Sequence, residues 1–294
     1  MEVHGVRHTA DEGRTFTHAP DVTRIATGIV NTYLVGDSGG WVLVDTGIAG
    51  FSPLIQRAAE TQFGAGTRPA AIVLTHGHFD HAGNADALAA LWSAPVYAHP
   101  LEMPYLTGRS NYPPPDPTVG GAMAAMSRVF PTSGRTLDAR LIPLEGDRIP
   151  EMPGWRWIHT PGHTAGHVSL FRDTDGTLLA GDAIVTMNTD SWVEQVLRSP
   201  EPCYPPTPLT PDWIQARRSV ETIASLQPRA IASGHGYPSP VPPSPAPSNA
   251  SHKRSRRLPT DDTSPHPPSP VHRGSNGFRP RCPIPCRGRP RASR

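Results

Sequence analysis

His76, His78, Asp80 and His81 put four metal-capable side chains within six residues. They follow a short apolar run, residues 70–74, that reads as a buried strand. On an extended backbone His76 and His78, two apart, point to the same side. Asp80 and His81 come as the chain turns towards the helical run 85–91 and aim at a second point nearby. Two imidazoles facing one spot, with a carboxylate and an imidazole facing another, suit two adjacent metal ions. Such ligands take zinc, iron or manganese, whereas a structural zinc site usually recruits cysteines. The chain has 14 histidines, so a lone one would carry no weight, but four candidate ligands in this order at a strand end do.

The elements that must hold these groups alternate along the chain. Strands are expected at 22–25, 31–36 and 41–44, the last ending at Asp45. A helix is expected at 53–63, with Ser52 as N-cap and Pro53 at its first position. A helix at 85–92 and a strand at 95–98, closed by His99, follow the histidine-rich stretch. Residues 101–136 break the pattern, because Pro113, Pro114, Pro115 and Pro117 suit neither helix nor central strand. A short apolar helix is expected near 120–126. With Met103, Tyr105, Tyr112, Met123 and Met126 this insert is apolar enough to cover a pocket, and it is a candidate lid.

The second half resumes with strands at 141–144, 155–160, 167–171 and 177–180, the last two joined by a hairpin turn at 173–176. A proline-rich loop, a helix at 212–226 and a strand at 229–233 complete it. Each half thus has a strand ending in an aspartate, Asp45 or Asp182, then a helix and a strand ending in a histidine, His76 or His235. Three more candidate ligands sit where strands run out. His163 lies on the Pro161-Gly162 turn, Asp182 follows Gly181, and His235 stands between Gly234 and Gly236.

The set His76-x-His78-x-Asp80-His81, His163, Asp182 and His235, with Asp45 upstream, resembles the metallo-β-lactamase-fold hydrolase superfamily over residues 22–237. The resemblance implies an α+β fold, a four-layer αββα sandwich with metals along one edge. It implies that His76, His78 and His163 bind one metal and Asp80, His81 and His235 a second, with Asp182 bridging. Asp45 would hold the histidine-rich loop through a buried hydrogen bond, and His167 would orient a ligand in the same way. The cofactor would be two divalent ions, zinc first, with manganese or iron as alternatives.

The chemistry implied is attack of hydroxide, generated at the metals, on an ester, thioester, lactone or lactam carbonyl of a small molecule, with Asp80 and Asp182 orienting the nucleophile or moving its proton. Tyr204 and Tyr105 are candidate pocket walls or oxyanion donors. His99 is not assigned to the metals. The set His76, His78 and His163 also resembles persulfide dioxygenases, which use a single iron. A third reading is a non-catalytic protein with a basic binding tail. Retention of Asp80, His81 and His235 favours two metals and hydrolysis.

Composition divides the chain. Residues 1–237 carry 16 Arg and no Lys against 23 Asp+Glu, a balance of −7. Residues 238–294 carry 11 Lys+Arg against 2 Asp+Glu, a balance of +9, and 15 prolines. The first part can bury a core as one domain. The second lacks the apolar surface to offset the entropy of ordering and is expected to be a disordered tail. Either it is a native basic tail, whose Lys253-Arg254-Ser255-Arg256-Arg257 cluster would attract nucleic acid by charge alone, or it is an out-of-frame end. Cys282 and Cys286 have no nearby partners to make a metal motif. No run approaches the ~20 apolar residues of a membrane span. With Cys203 the only cysteine of the body and no apolar leader at the start, a cytoplasmic location is expected.

Overall fold

Alternation along single strands decides the architecture. In strand β4 (Gly40–Val44), Trp41 and Leu43 enter one core cluster while Val42 and Val44 enter another. That is the period of two expected when both faces of a sheet are covered. A computed structural model of the chain describes residues 15–119, 121–134, 136–137, 140–187 and 202–240. Its first sheet has seven strands: β1 (Thr15–Ala19), β2 (Val22–Thr27), β3 (Val30–Asp37), β4, β5 (Ala71–Val73), β6 (Val96–Ala98) and β7 (Leu141–Pro143), in sequence order. Strands β1 to β4 pair antiparallel and β4 to β7 pair parallel. The crossovers carry α1 (Ser52–Phe63) and α2 (Ala85–Trp92).

The second sheet has five strands: β8 (Trp155–His159), β9 (Val168–Arg172), β10 (Thr177–Gly181), β11 (Ala230–Ser233) and β12 (Ser239–Pro240), in the order β12-β11-β10-β9-β8. Only β10 and β11 pair parallel, and the helix between them runs Trp213–Ser225. Two short helices, Met103–Leu106 and Ala122–Ser127, precede it in the chain, so these three are α3, α4 and α5 in order.

Three core clusters define the layers. Ile55, Ala59, Leu88 and Trp92 of α1 and α2 pack on Leu34, Leu43 and Ile72 of the first sheet. Val42, Val44 and Val73 meet Leu170, Leu179 and Ala232 between the sheets. Val220 and Ile223 of α5 pack on Phe171, Leu178 and Ile231. The result is the expected αββα sandwich, held by side chains that each contribute ~1.5–3 kcal/mol when fully buried. Trp41 joins the outer helices to the sheet: it stacks on Phe63 at 5.1 Å, meets Trp92 edge-on at 5.6 Å and donates from Nε1 to Thr67.

Two helix starts differ in kind. Asp212 caps α5, its carboxylate accepting from the Gln215 N–H at 2.9 Å. Ser52 is not the cap of α1: it is the first helical residue, Phe51 occupies the cap position, and no side chain bonds there. Pro53, which has no N–H to satisfy, reduces the need for one. Strand β12 extends the second sheet past residue 237 by pairing Ala230 with Pro240 and Ile231 with Ser239. The rest of the expected tail, including Lys253, Cys282 and Cys286, lies outside the described residues. Among those described, no helix is long and apolar enough to cross a membrane.

Candidate metal centre

The histidine-rich stretch is a loop, not the end of a strand as its spacing suggests. Strand β5 stops at Val73, and beyond Leu74 the backbone is directed by side-chain carboxylates rather than by a ladder. Asp45 accepts from the Thr75 N–H at 2.8 Å through Oδ1. Glu102 accepts from the Gly77 N–H at 2.9 Å. A turn at His78–His81, with His81 N–H to His78 carbonyl at 3.0 Å, then brings Asp80 and His81 back towards His76.

All seven expected ligand side chains are buried and converge. His76 Nε2 lies 3.1 Å from His78 Nδ1, which lies 3.0 Å from His163 Nε2. Asp80, His81 and His235 form a second group, and all three ligand atoms of each group lie within 4.8 Å of one another. Asp182 stands between the groups. Its Oδ1 is 3.4 Å from His81 Nε2, and its Oδ2 is 3.4 Å from His163 Nε2 and 3.2 Å from His235 Nε2.

Hydrogen bonds on the far side of four of the five rings fix which nitrogen faces inward. A neutral imidazole carries one N–H, and its other nitrogen is a lone pair. His81 Nδ1 lies 2.9 Å from Asp45 Oδ2, and His235 Nδ1 lies 2.8 Å from the Ile29 carbonyl. Both partners only accept, so both Nδ1 atoms carry the proton. The Thr75 hydroxyl donates to Asp45 at 2.8 Å and so must accept from His76 Nδ1 at 3.1 Å. Thr210 gives its proton to the Pro206 carbonyl and accepts from His163 Nδ1 at 3.3 Å. In their neutral forms these four rings therefore point Nε2 lone pairs at the same small volume.

Lone pairs and carboxylates facing one another without a proton between them call for a cation. His81 Nε2 and Asp182 Oδ1 are buried and make no hydrogen bond. The ionisation preferences agree. Burial and the surrounding histidines hold His76 and His163 well below the usual imidazole range, and burial brings His78 down to about 4. Burial also acts to lower His81 and His235, yet the carboxylates outweigh it and raise both, Asp182 above all, followed by Asp45 and Asp80 at His81 and by Asp80 at His235. One group is thus three neutral imidazoles, and the other is an anionic pocket seeking positive charge. The donor set fits divalent metal ions.

The remaining candidates fall into place around this centre. Asp45 adopts a left-handed φ of 58°, uncommon outside glycine, while its carboxylate holds both Thr75 and His81. His167 Nε2 accepts the Asp182 N–H at 2.8 Å and its Nδ1 donates to Thr160. Burial keeps it neutral by lowering its pKa to about 3. His99 lies away from the ligands, stacked on His159 at 4.2 Å. Tyr204 meets Trp213 edge-on and packs on the outer core cluster, and it does not line the cavity beside the centre. Tyr105 does, with Tyr112, so part of the 101–136 insert forms a wall there. Met103 packs instead on the core of the first sheet.

Several working residues have no motif. Glu102, fully buried, accepts from Gly77, from the Tyr112 hydroxyl, from the Thr164 hydroxyl at 2.7 Å and from the Gly166 N–H at 2.9 Å. It ties the His76–His78 loop to the His163–His167 loop and to the cavity wall. Asn31 and Tyr33 perform the same service for His235. The Asn31 amide donates to the Ser233 and Gly236 carbonyls at 2.9 and 2.7 Å, and Tyr33 donates to Ser233 at 2.7 Å. A buried asparagine on a strand is the only sequence signal either network offers.

Gly234 is required by contact rather than by backbone angle. A Cβ there would lie 2.1 Å from Asp182 Oδ1 and 2.6 Å from His81 Cε1. Gly234→Ala is expected to cost ~1–3 kcal/mol through overpacking and to displace Asp182. Metal titration of the purified variant should show weakened binding, and unchanged affinity would contradict the tight fit.

The chain belongs to the metallo-beta-lactamase superfamily, whose model matches residues 25–235. It is 38% identical over 231 residues to the probable metallo-hydrolase YflN of Bacillus subtilis (strain 168), covering 77% of this chain and 88% of that one. It is 32% identical over 208 residues to the probable metallo-hydrolase YybB of the same organism, covering 70% and 80%. Among solved structures it is similar to the BLEG-1 B3 metallo-beta-lactamase, with a TM-score of 0.52, 26% identity and coverage of 74% of this chain and 93% of that one. The protein is a metal-dependent hydrolase.

Proposed function

We propose that the chain is a dinuclear hydrolase of small-molecule esters, thioesters, lactones or lactams, carried by residues 1–237 as one domain. His76, His78 and His163 would hold one ion, Asp80, His81 and His235 the other, and Asp182 would reach both, with zinc as the metal. The observation that carries the reading is the pair of three-ligand groups sharing one buried carboxylate. Bound there, two divalent ions supply Lewis acidity towards a carbonyl and a water of lowered pKa.

The protein's own residues then orient and move protons. Asp182 is aimed by His167 through its backbone N–H. Asp80 Oδ2, 3.5 Å from His235 Nε2, is placed to accept a proton beside the second group. The cavity next to His78 and His163 receives the part of the substrate beyond its carbonyl. The completeness of the second group supports hydrolysis over a single-iron oxygenation.

Elemental analysis of protein purified without added metal tests this. About two zinc or manganese ions per chain, with carbonyl-hydrolysing activity lost to a chelator and restored by metal, is the expected result. A single iron with oxygen consumption would replace the proposal, and a folded protein with no metal affinity would end it.

A further inference from the structure

We infer that the cavity beside His78 and His163 accepts an acyl group without negative charge, so that the esters, thioesters, lactones or lactams turned over are those whose acyl portion is neutral and substantially apolar. The inference rests on the hydrolase reading above and adds what that site selects. The cavity, about 460 Å³, has the size of a small-molecule pocket. Tyr105 and Tyr112 form one wall, stacked 4.2 Å apart, and Pro113 and Pro114 continue it. Leu209 and Trp213 contribute from the facing segment. The Asp116 N–H bonds the Pro208 carbonyl at 2.8 Å and ties the two segments together.

The polar groups on these walls are mostly spoken for. The Tyr112 hydroxyl donates to Glu102, so the residue offers its ring, which lies 4.5 Å from that of His78. The Thr210 hydroxyl is occupied by Pro206 and His163. Among the described lining residues none is lysine or arginine, and the one carboxylate is Asp116. Hydrogen bonds from the Thr118 hydroxyl and N–H lower its pKa and keep it anionic. A carboxylate carried into this space would gain no counter-charge among those residues and would face the exposed Asp116, a repulsion of like charges that low salt leaves unscreened. An aromatic or aliphatic group meets no such repulsion and gains contact with the rings and prolines.

The test compares two ligands of the same shape, 4-carbamoylphenylacetohydroxamate and 4-carboxyphenylacetohydroxamate, whose hydroxamate anchors at the metals and whose variable group reaches into the cavity. Titration calorimetry with the full-length, metal-loaded protein at low salt should give at least about tenfold tighter binding of the carboxamide. Asp116→Asn, which keeps the turn acceptor but removes the charge, should narrow the ratio several-fold, as should added salt. Equal or tighter binding of the carboxylate, or binding of neither, overturns the inference. Turnover of the corresponding 4-nitrophenyl esters separates this from the underlying reading. Selective binding without hydrolysis would remove the hydrolytic function and leave the cavity assignment standing.

Discussion

Asp182→Ala is expected to abolish turnover, by about a thousandfold or more, and to empty both metal positions, whereas His235→Ala should deplete mainly one. The asymmetry follows from where the atoms lie. Asp182 reaches His81 through one oxygen and His163 and His235 through the other, so among the described residues it is the carboxylate that approaches ligands of both proposed groups. Its removal leaves Asp80, near His235, as the carboxylate among the described residues that faces the converging lone pairs, since Asp45 lies on the far, Nδ1 side of His81. His235, by contrast, belongs to the Asp80–His81 group alone.

The fold should survive the substitution, because the Asp182 N–H still bonds His167 and the β10–β11 pairing does not involve the side chain. Asp182→Asn tests charge against shape: if charge is what holds the ions, the amide should bind metal nearly as poorly as alanine. Metal content by elemental analysis, beside a circular dichroism spectrum to establish folding, reads all three variants. Equal loss of both ions in His235→Ala, or full occupancy in Asp182→Ala, would contradict the proposed division of ligands.

Much of this centre was legible because its signals are local. His76, His78, Asp80 and His81 lie in one stretch, and His163, Asp182 and His235 each follow a strand that alternation or a short apolar run reveals. The sandwich was legible for the same reason: Trp41 and Leu43 face one cluster, Val42 and Val44 another. What remained hidden is long-range. Asn31 bonds Ser233 across 202 positions, and Glu102 bonds Thr164 and Gly166 across 62 and 64. No window of sequence contains both partners.

The strand-end picture of the histidines failed for a related reason. Spacing of two suggests an extended backbone, but the N–H groups of Thr75 and Gly77 are taken by Asp45 and Glu102 instead of a neighbouring strand. Tyr204 shows the opposite limit. A tyrosine in a proline-rich loop is a plausible pocket wall, and only the packing against Trp213 and the outer cluster places it elsewhere.

Glu102 should therefore have effects out of proportion to its lack of a motif. Four donors converge on its carboxylate: two backbone N–H groups and two hydroxyls. Glu102→Gln keeps the volume but turns one acceptor oxygen into an NH2 group, which would face donors on whichever side it settles. A buried donor left without an acceptor costs ~1–3 kcal/mol, so with two donors stranded the destabilisation should be about 2–6 kcal/mol. The His76–His78 and His163–His167 loops are the parts set loose, while His81 and His235 keep their own supports in Asp45 and the Ile29 carbonyl. The affinity of the His76, His78 and His163 group for metal should fall by about 10–100-fold, with the other group much less affected. Tyr112→Phe removes only one of the four bonds, so it should raise KM through the cavity wall while leaving metal content intact. Urea denaturation and stepwise metal titration of both variants separate these effects. If Glu102→Gln weakens both metal positions equally, or neither, the carboxylate is a general buried support and not the tie between these two loops.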